Sequence, residues 1–381
     1  MKKILAIVLA LMMLLSAVTA LGDVASIVEE GANLTHEELV EKALAETGDF
    51  LVYGNTSRIQ NAFDAFKALY NLTGEASNLK DGPIYTKLDS EVNSSAKGAD
   101  MVMIQDGAQL IGAIESGWLV NYVPASVAEF VAEGDRVPLV HQYINKLFIY
   151  NNGGDNVPAI KNVWELTAPE MKGNVIFKNP EDEQVNMNFL VMCTSPEWSD
   201  KLAEAYKAWK GEEIDLGDYE NAGYKWVAEF LDNCSFGQSD TKIAEEVSQE
   251  TAQGKIGLFV LSKLRSSSVL TDNLTVAQYD ATENGYAVEP FSGFMYPMYA
   301  LISAAATRPY TAMLFIEYLM TAEGFEPWGK SIGAYSTSTA IAPNDGDLGI
   351  EIWKDTLVME DAEFILDNYE DVSTFVSKHL Q

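Results

Sequence analysis

The chain alternates short apolar runs with amphipathic stretches, and polar turns mark most of the junctions. Phe50-Leu-Val-Tyr53 is an apolar run closed by Gly54, which predicts a buried strand. Asn55-Thr-Ser57 follows as a polar turn. Ile59, Phe63, Phe66 and Tyr70 then recur at helical spacing. Strand, loop and helix in that order make half of a parallel crossover unit. The pattern returns as a helix over 83–92, a strand over 99–104, a turn at Gln105-Asp-Gly107 and a helix over 108–114. HQYINKLFIY (141–150) predicts a long strand. A strand over 175–177 and a polar loop over 179–184 come next. Helices are expected over 201–209, 224–231 and 244–253, and a strand over 256–261 leads into a loop over 262–268. Phe291 to Ile302 reads as an extended segment broken by Pro297, followed by helices over 310–320 and 323–330. The tail over 350–380 reads as helical and acidic. Thr35 and Glu38 form a capping-box signal for a helix ahead of the first strand.

This alternation predicts an α/β fold whose sheets are mixed but mostly parallel, flanked by helices. At 381 residues the chain exceeds what one core usually holds, so two domains are expected. In open parallel sheets ligands sit beyond the carboxyl ends of the strands. That rule singles out four loops: Asn55–Arg58, Gln105–Gln109, Asn179–Asn188 and Ser262–Ser266. Asn55, Thr56 and Ser57 precede a helix, where side chains and backbone N–H groups suit an anion or a carbonyl, or else simply cap the helix. Arg58 suits a carboxylate or phosphate. Asp106 and Gln109 lie on the matching loop. Glu183, Gln184 and Asn186 lie on a third, and Lys263 and Arg265 on the fourth. Phe294, Tyr296 and Tyr299 are candidates to stack on a ligand or cover a cation.

The N-terminus changes the setting. Lys2 and Lys3, the apolar run Ile4–Leu15 and the small residues Ser16–Ala20 read as a signal peptide over residues 1–20. Residues 21–47 read as a leader and N-terminal helix. No cysteine near the cut offers a lipid anchor, so a periplasmic or secreted protein is expected. A net charge of −31 disfavours nucleic acid and anionic lipid as partners. Cys193 and Cys234 leave both one disulfide and two buried thiols open. Among three histidines only His141 falls where a catalytic base would be needed. No H-E-x-x-H, C-x-x-C or calcium loop is present, so neither a metal nor a cofactor is expected.

Four stretches together resemble the bacterial extracellular solute-binding proteins of ABC importers, in the branch of ferric-ion, polyamine, thiamine and phosphonate receptors. They are LVEKALAETGDFLVYGNTSRIQNAFDAF (39–66), KLDSEVNSSAKGADMVMIQDGAQLIGAIESGWLVNYVP (87–124), VWELTAPEMKGNVIFKNP (163–180) and TRPYTAMLFIEYLMTAEGFEPWGKSIGAYSTS (307–338). The resemblance implies a type II binding-protein fold of two lobes joined by two extended crossings, near Tyr143–Tyr150 and Glu289–Leu301. It places lobe 1 at 48–145 plus 297–345, lobe 2 at 148–292, and C-terminal helices at 346–381. It implies a non-enzymatic, monomeric receptor that closes on a small solute in an inter-lobe cleft and hands it to a membrane permease. Ferric receptors of this family typically use adjacent tyrosines, and this chain has none, so a small polar organic solute is expected. A secreted hydrolase and a ligand-binding partner of a sensor or chemoreceptor stand as alternatives.

Overall fold

The computed structural model of the chain describes residues 24–94, 96–153, 160–277 and 288–380. The expected signal peptide lies outside the described residues. The chain divides into two compact units. One comprises the chain through Tyr143 with Pro297–Lys330 and Ser336–Ala342; the other comprises Ile144–Tyr296, Ser331–Tyr335 and the chain from Pro343. The C-terminal helices therefore belong to the second unit. In chain order the strands are β1 (Phe50–Gly54), β2 (Gly74–Asn78), β3 (Met101–Ile104), β4 (Leu119–Val120), β5 (Val140–Asn151), β6 (Val175–Lys178), β7 (Cys234–Gly237), β8 (Ile256–Val260), β9 (Leu274–Val276), β10 (Gly293–Ser303), β11 (Ala334–Ser336) and β12 (Val358–Met359). Both β5 and β10 begin in one unit and end in the other, so the two crossings are strands.

In the first unit β1 is parallel to β2 and β3. The second half of β10 runs antiparallel to β3, with Tyr299 opposite Ile104 and Ile302 opposite Met101. The apolar stripe predicted on the helix Arg58–Tyr70 supplies Phe63 and Phe66, which meet Phe50 of β1 and Phe315 of the helix Pro309–Leu319. Gly74 opens β2 at φ 139°, and a Cβ there would collide with the Phe50 carbonyl. Glycine is required at that close approach.

In the second unit β6 is parallel to β7 and β8, and β5 is antiparallel to β8. Its core gathers Phe177, Phe189, Trp226, Phe230 and Phe291. Two of the unit's buried tryptophan N–H groups find carbonyls: Trp164 donates to Leu202 O at 2.8 Å and Trp226 to Val163 O at 3.1 Å.

Several expectations need correction. The loop expected over Asn179–Asn188 ends early, because a helix runs from Gln184 to Cys193. That helix is buried on every side from Val185 onward, so no amphipathic stripe betrays it. The Ser262–Ser266 loop is largely a 3-10 helix, Leu261–Arg265. The helix placed over 244–253 starts earlier, at Asp240 under a Ser239 cap, and ends at Val247. Pro297 does not break β10; it falls between the stretch that pairs with β12 and the stretch that pairs with β3. The tail folds as two helices, Ile350–Thr356 and Ala362–Ser377, with β12 between them.

Candidate functional site

In each unit the carboxyl ends of the parallel strands carry a knot of polar side chains. In the first unit, Asp81 ties the loops after β1 and β3 together. It accepts from Asn55 Nδ2 at 3.0 Å and from the Gln105 N–H at 3.1 Å. Asn55 Oδ1 is buried without a partner. Thr56 Oγ1 accepts from the Arg58 N–H at 3.3 Å. Ser57 stands at the N-cap of the helix Arg58–Tyr70, yet its hydroxyl makes no capping bond. Arg58 is half-buried in the first turn. Asp106 is wholly buried and caps the helix Gly107–Glu115, accepting from the Gln109 N–H at 3.2 Å and from the Gln109 side chain. Tyr85 donates to the Asp106 carbonyl at 2.9 Å. The structure thus brings Asp106 and Gln109 together as a cap, with Asn55 and Asp81 as the neighbouring pair.

In the second unit the centre is Lys146 of β5, a lysine with no exposed side-chain surface. Its ammonium donates to Glu183, to Asn186 Oδ1 at 2.9 Å and to Asp240 Oδ2 at 3.5 Å, pairs with Asp240 Oδ1 at 3.2 Å, and lies 5.9 Å from the Phe294 ring centroid. Lys178, at the end of β6, joins through Glu183 at 3.0 Å. Asp240 also accepts from the Val260 N–H at 3.1 Å, which fixes it at the end of β8. Burial pushes the Lys146 ammonium down, but the carboxylates of Asp240 and Glu183 outweigh it and leave its pKa raised. Burial pushes the Glu183 carboxyl up; Lys146 and Lys178 overcome this and hold it at about 2. Two cations and two carboxylates neutralise one another, which removes the large penalty of a lone buried charge. The buried half of this network is structural. Its edge, Lys178 and Glu183, keeps 14% and 25% of its side-chain surface exposed.

The remaining sequence candidates separate. Gln184 turns to Asn188 at 3.0 Å and to the Tyr369 hydroxyl at 3.2 Å, on the C-terminal helix. Lys263 is half-buried and Arg265 is exposed, donating to Ser331 Oγ at 3.2 Å. Phe294 is engaged within the protein. It stacks on Phe189 with centroids 4.6 Å apart, and the cation it covers is the protein's own Lys146. Tyr296 and Tyr299 are buried on β10; three residues apart on one strand, they emerge on opposite faces. Cys193 and Cys234 are free thiols, so the chain carries no disulfide between them. Lys146, Lys178, Asp240 and Asp81 escaped the sequence reading. The one available signal was a lysine inside the apolar run HQYINKLFIY.

Chemistry elsewhere is thin. His141 is wholly buried, with Nε2–H donating to Leu319 O at 3.1 Å and the ring against Phe325 and Trp328. The run Gly324-Phe-Glu-Pro-Trp-Gly-Lys-Ser331 fits the spacing of a phosphate loop, and Gly329-Lys-Ser-Ile-Gly333 that of a nucleophile elbow. Both motifs need a strand leading through a turn into a helix. Here the helix Ala322–Gly329 comes first and β11 after, and Lys330 pairs with Glu326 at 2.6 Å. The matches are coincidences of spacing. Among the described residues no group of three His, Cys, Asp or Glu side chains is arranged to hold a metal ion, and no helix is long and apolar enough to cross a membrane.

Two discontinuous α/β units joined by two strands define the fold of the two-lobed periplasmic binding proteins, and solved structures bear this out. The ferric binding protein from Campylobacter jejuni superposes with a TM-score of 0.65 at 13% identity, over 87% of this chain and 99% of that one. Iron-bound HitA from Pseudomonas aeruginosa gives 0.65 at 12%, over 87% and 99%. The substrate binding protein of an ABC transporter from Agrobacterium tumefaciens gives 0.64 at 12%, over 88% and 95%. No protein-family model matches the chain, and no curated protein matches it either.

Proposed function

We propose that the chain is an exported, non-enzymatic solute-binding receptor that delivers a small polar organic solute to the permease of an ABC importer. The observation that carries this reading is the pair of polar knots at the carboxyl ends of the parallel strands, one in each unit. That is where α/β sheets hold ligands. The reachable groups are Asn55, Thr56 and Arg58 in one unit and Lys178 and Glu183 in the other. Hydrogen-bond donors, acceptors and both charges are on offer, which suits a solute bearing several polar groups. Similar folds named for binding proteins support a receptor, and the signal-peptide pattern supports a periplasmic or extracellular one. Six of the similar structures are named for binding iron, which makes iron the ligand to test against. Tyr296 and Tyr299, emerging on opposite strand faces, do not form a pair for one ion.

The test is a thermal-melt screen of the ligand-free protein against ferric citrate, polyamines, thiamine, phosphonates, amino acids and sugars. A solute at about 100 times its Kd adds about 2.7 kcal/mol. Arg58→Ala should then weaken binding about tenfold or more, as loss of a charged hydrogen bond does, at unchanged melting temperature without solute; Lys178→Ala should weaken it as much but also lower the melting temperature, because Glu183 loses one of its two cations. Unaltered affinity in both variants removes these loops from the site. A shift with ferric citrate alone replaces the organic solute with iron.

A further inference from the structure

At the far end of the first unit lies a groove of about 640 Å³. The helix Arg58–Tyr70 begins at the solute loops and ends at this groove, so its length, about 18 Å at 1.5 Å per residue, separates the two. The groove's walls are apolar and aromatic: Tyr70, Phe130 and Tyr318, with Val127, Leu314 and Met320. Phe130 and Leu69, both in the lining, are exposed large hydrophobic residues. Yet the groove contains Glu317, only 8% exposed. One Glu317 oxygen accepts from the Ser126 hydroxyl; the other faces His36 Nδ1 at 3.0 Å. Glu323 adds a second carboxylate, and no lysine or arginine lines the groove. Ser338, also in the lining and 1% exposed, has a hydroxyl with no partner. The Tyr70 hydroxyl is raised above its ordinary pKa by burial and then by the fields of Glu317 and Glu323, in keeping with a negative interior.

We propose that this groove is a second ligand site, for a small amphipathic amine whose ammonium meets Glu317 and whose hydrocarbon body lies against Tyr70, Phe130 and Tyr318. A volume of this size lies within the range of small-molecule sites. A cation against aromatic faces and one desolvated carboxylate gains from both. A neutral ligand would gain only the apolar contact, and an anion would face two carboxylates.

The test is calorimetric titration of the full protein with phenethylamine, 2-phenylethanol and phenylacetate. The amine should bind at least about tenfold tighter than the alcohol, a difference of about 1.4 kcal/mol, and the acid weakest. Glu317→Gln should erase the preference for the amine. Ala340→Trp, at the exposed rim, should block all three without disturbing buried residues, which covers the case in which Glu317→Gln folds poorly. Lys178→Ala, in the other unit, should leave amine binding unchanged. Equal binding of the three probes, undetectable binding of the amine, or an amine affinity indifferent to Ala340→Trp would each overturn the proposal.

Discussion

His141 lies at the start of β5 with no exposed surface, packed 4.9 Å from the Trp328 ring. Burial pushes its pKa down from 6.5 to about 4. The unfolded chain therefore binds the proton more tightly than the folded one between those two values. Stability must rise with pH across that window and fall as pH drops through it, by up to about 3 kcal/mol. Urea unfolding at pH 7 and pH 4 should register the loss, and His141→Phe should be less sensitive to the same change. Glu183 works in the opposite part of the scale. Its carboxyl, held at about 2, contributes stability above its ordinary value of 4.5 that is lost only as pH falls toward 2. Little of this was legible in the sequence. His141 was visible as a histidine on a strand, but nothing local says that both faces of β5 are buried. Lys146 was visible too, but its partner Asp240 lies 94 residues away. A lone buried lysine is meaningless until the fold supplies the carboxylates.

The helix Gly107–Glu115 depends on one side chain at its start. Asp106 satisfies an N–H that the helix leaves open. Asp106→Ala should cost about 1 kcal/mol of stability and Asp106→Asn much less, because asparagine caps nearly as well. A urea midpoint series on the two variants checks this, and equal midpoints would mean that the cap is not what Asp106 contributes. At this scale the sequence was most informative. The first crossover unit, the long strand β5 and the late helix Pro309–Leu319 all follow from apolar spacing. The elements it missed share a cause. β2 (GEASN) and β7 (CSFG) are the outermost strands of their units, with no fully buried residue and no apolar run to mark them. The helix Gln184–Cys193 fails for the reverse reason: it is buried on every side, Asn186 and Asn188 included, so no apolar stripe marks it.

For the whole molecule, two units and two strand crossings make a ligand-dependent change of dimension the natural expectation. A solute engaging loops of both units should lower the radius of gyration measured by small-angle scattering at saturation. A solute held by one unit alone should leave the radius where it was. The amine of the second site touches only the first unit and belongs to the latter class. Its addition should leave the scattering curve unchanged while the calorimeter reports heat. The net charge of −31 keeps such measurements practical by opposing self-association. The two-lobed α/β class was legible from length and alternation. The packing of Ala362–Ser377 was not, because its partner is the helix that the sequence concealed.

The crossings also govern when each unit can form. Neither is encoded by one uninterrupted stretch. β3 finds its antiparallel neighbour in β10, where Met101 pairs with Ile302, about 200 residues later. As the chain emerges from its N-terminus, the first sheet must wait, one edge unpaired, while the whole middle of the chain is made. The second unit waits in turn for Ser331–Tyr335 and for the tail. Contacts so distant in sequence slow folding and prolong the exposure of sticky strand edges. The first unit is complete only once Ser336–Ala342 is made, and the second only with the chain from Pro343, so a truncation ahead of Pro297 yields two unfinished halves rather than one good domain.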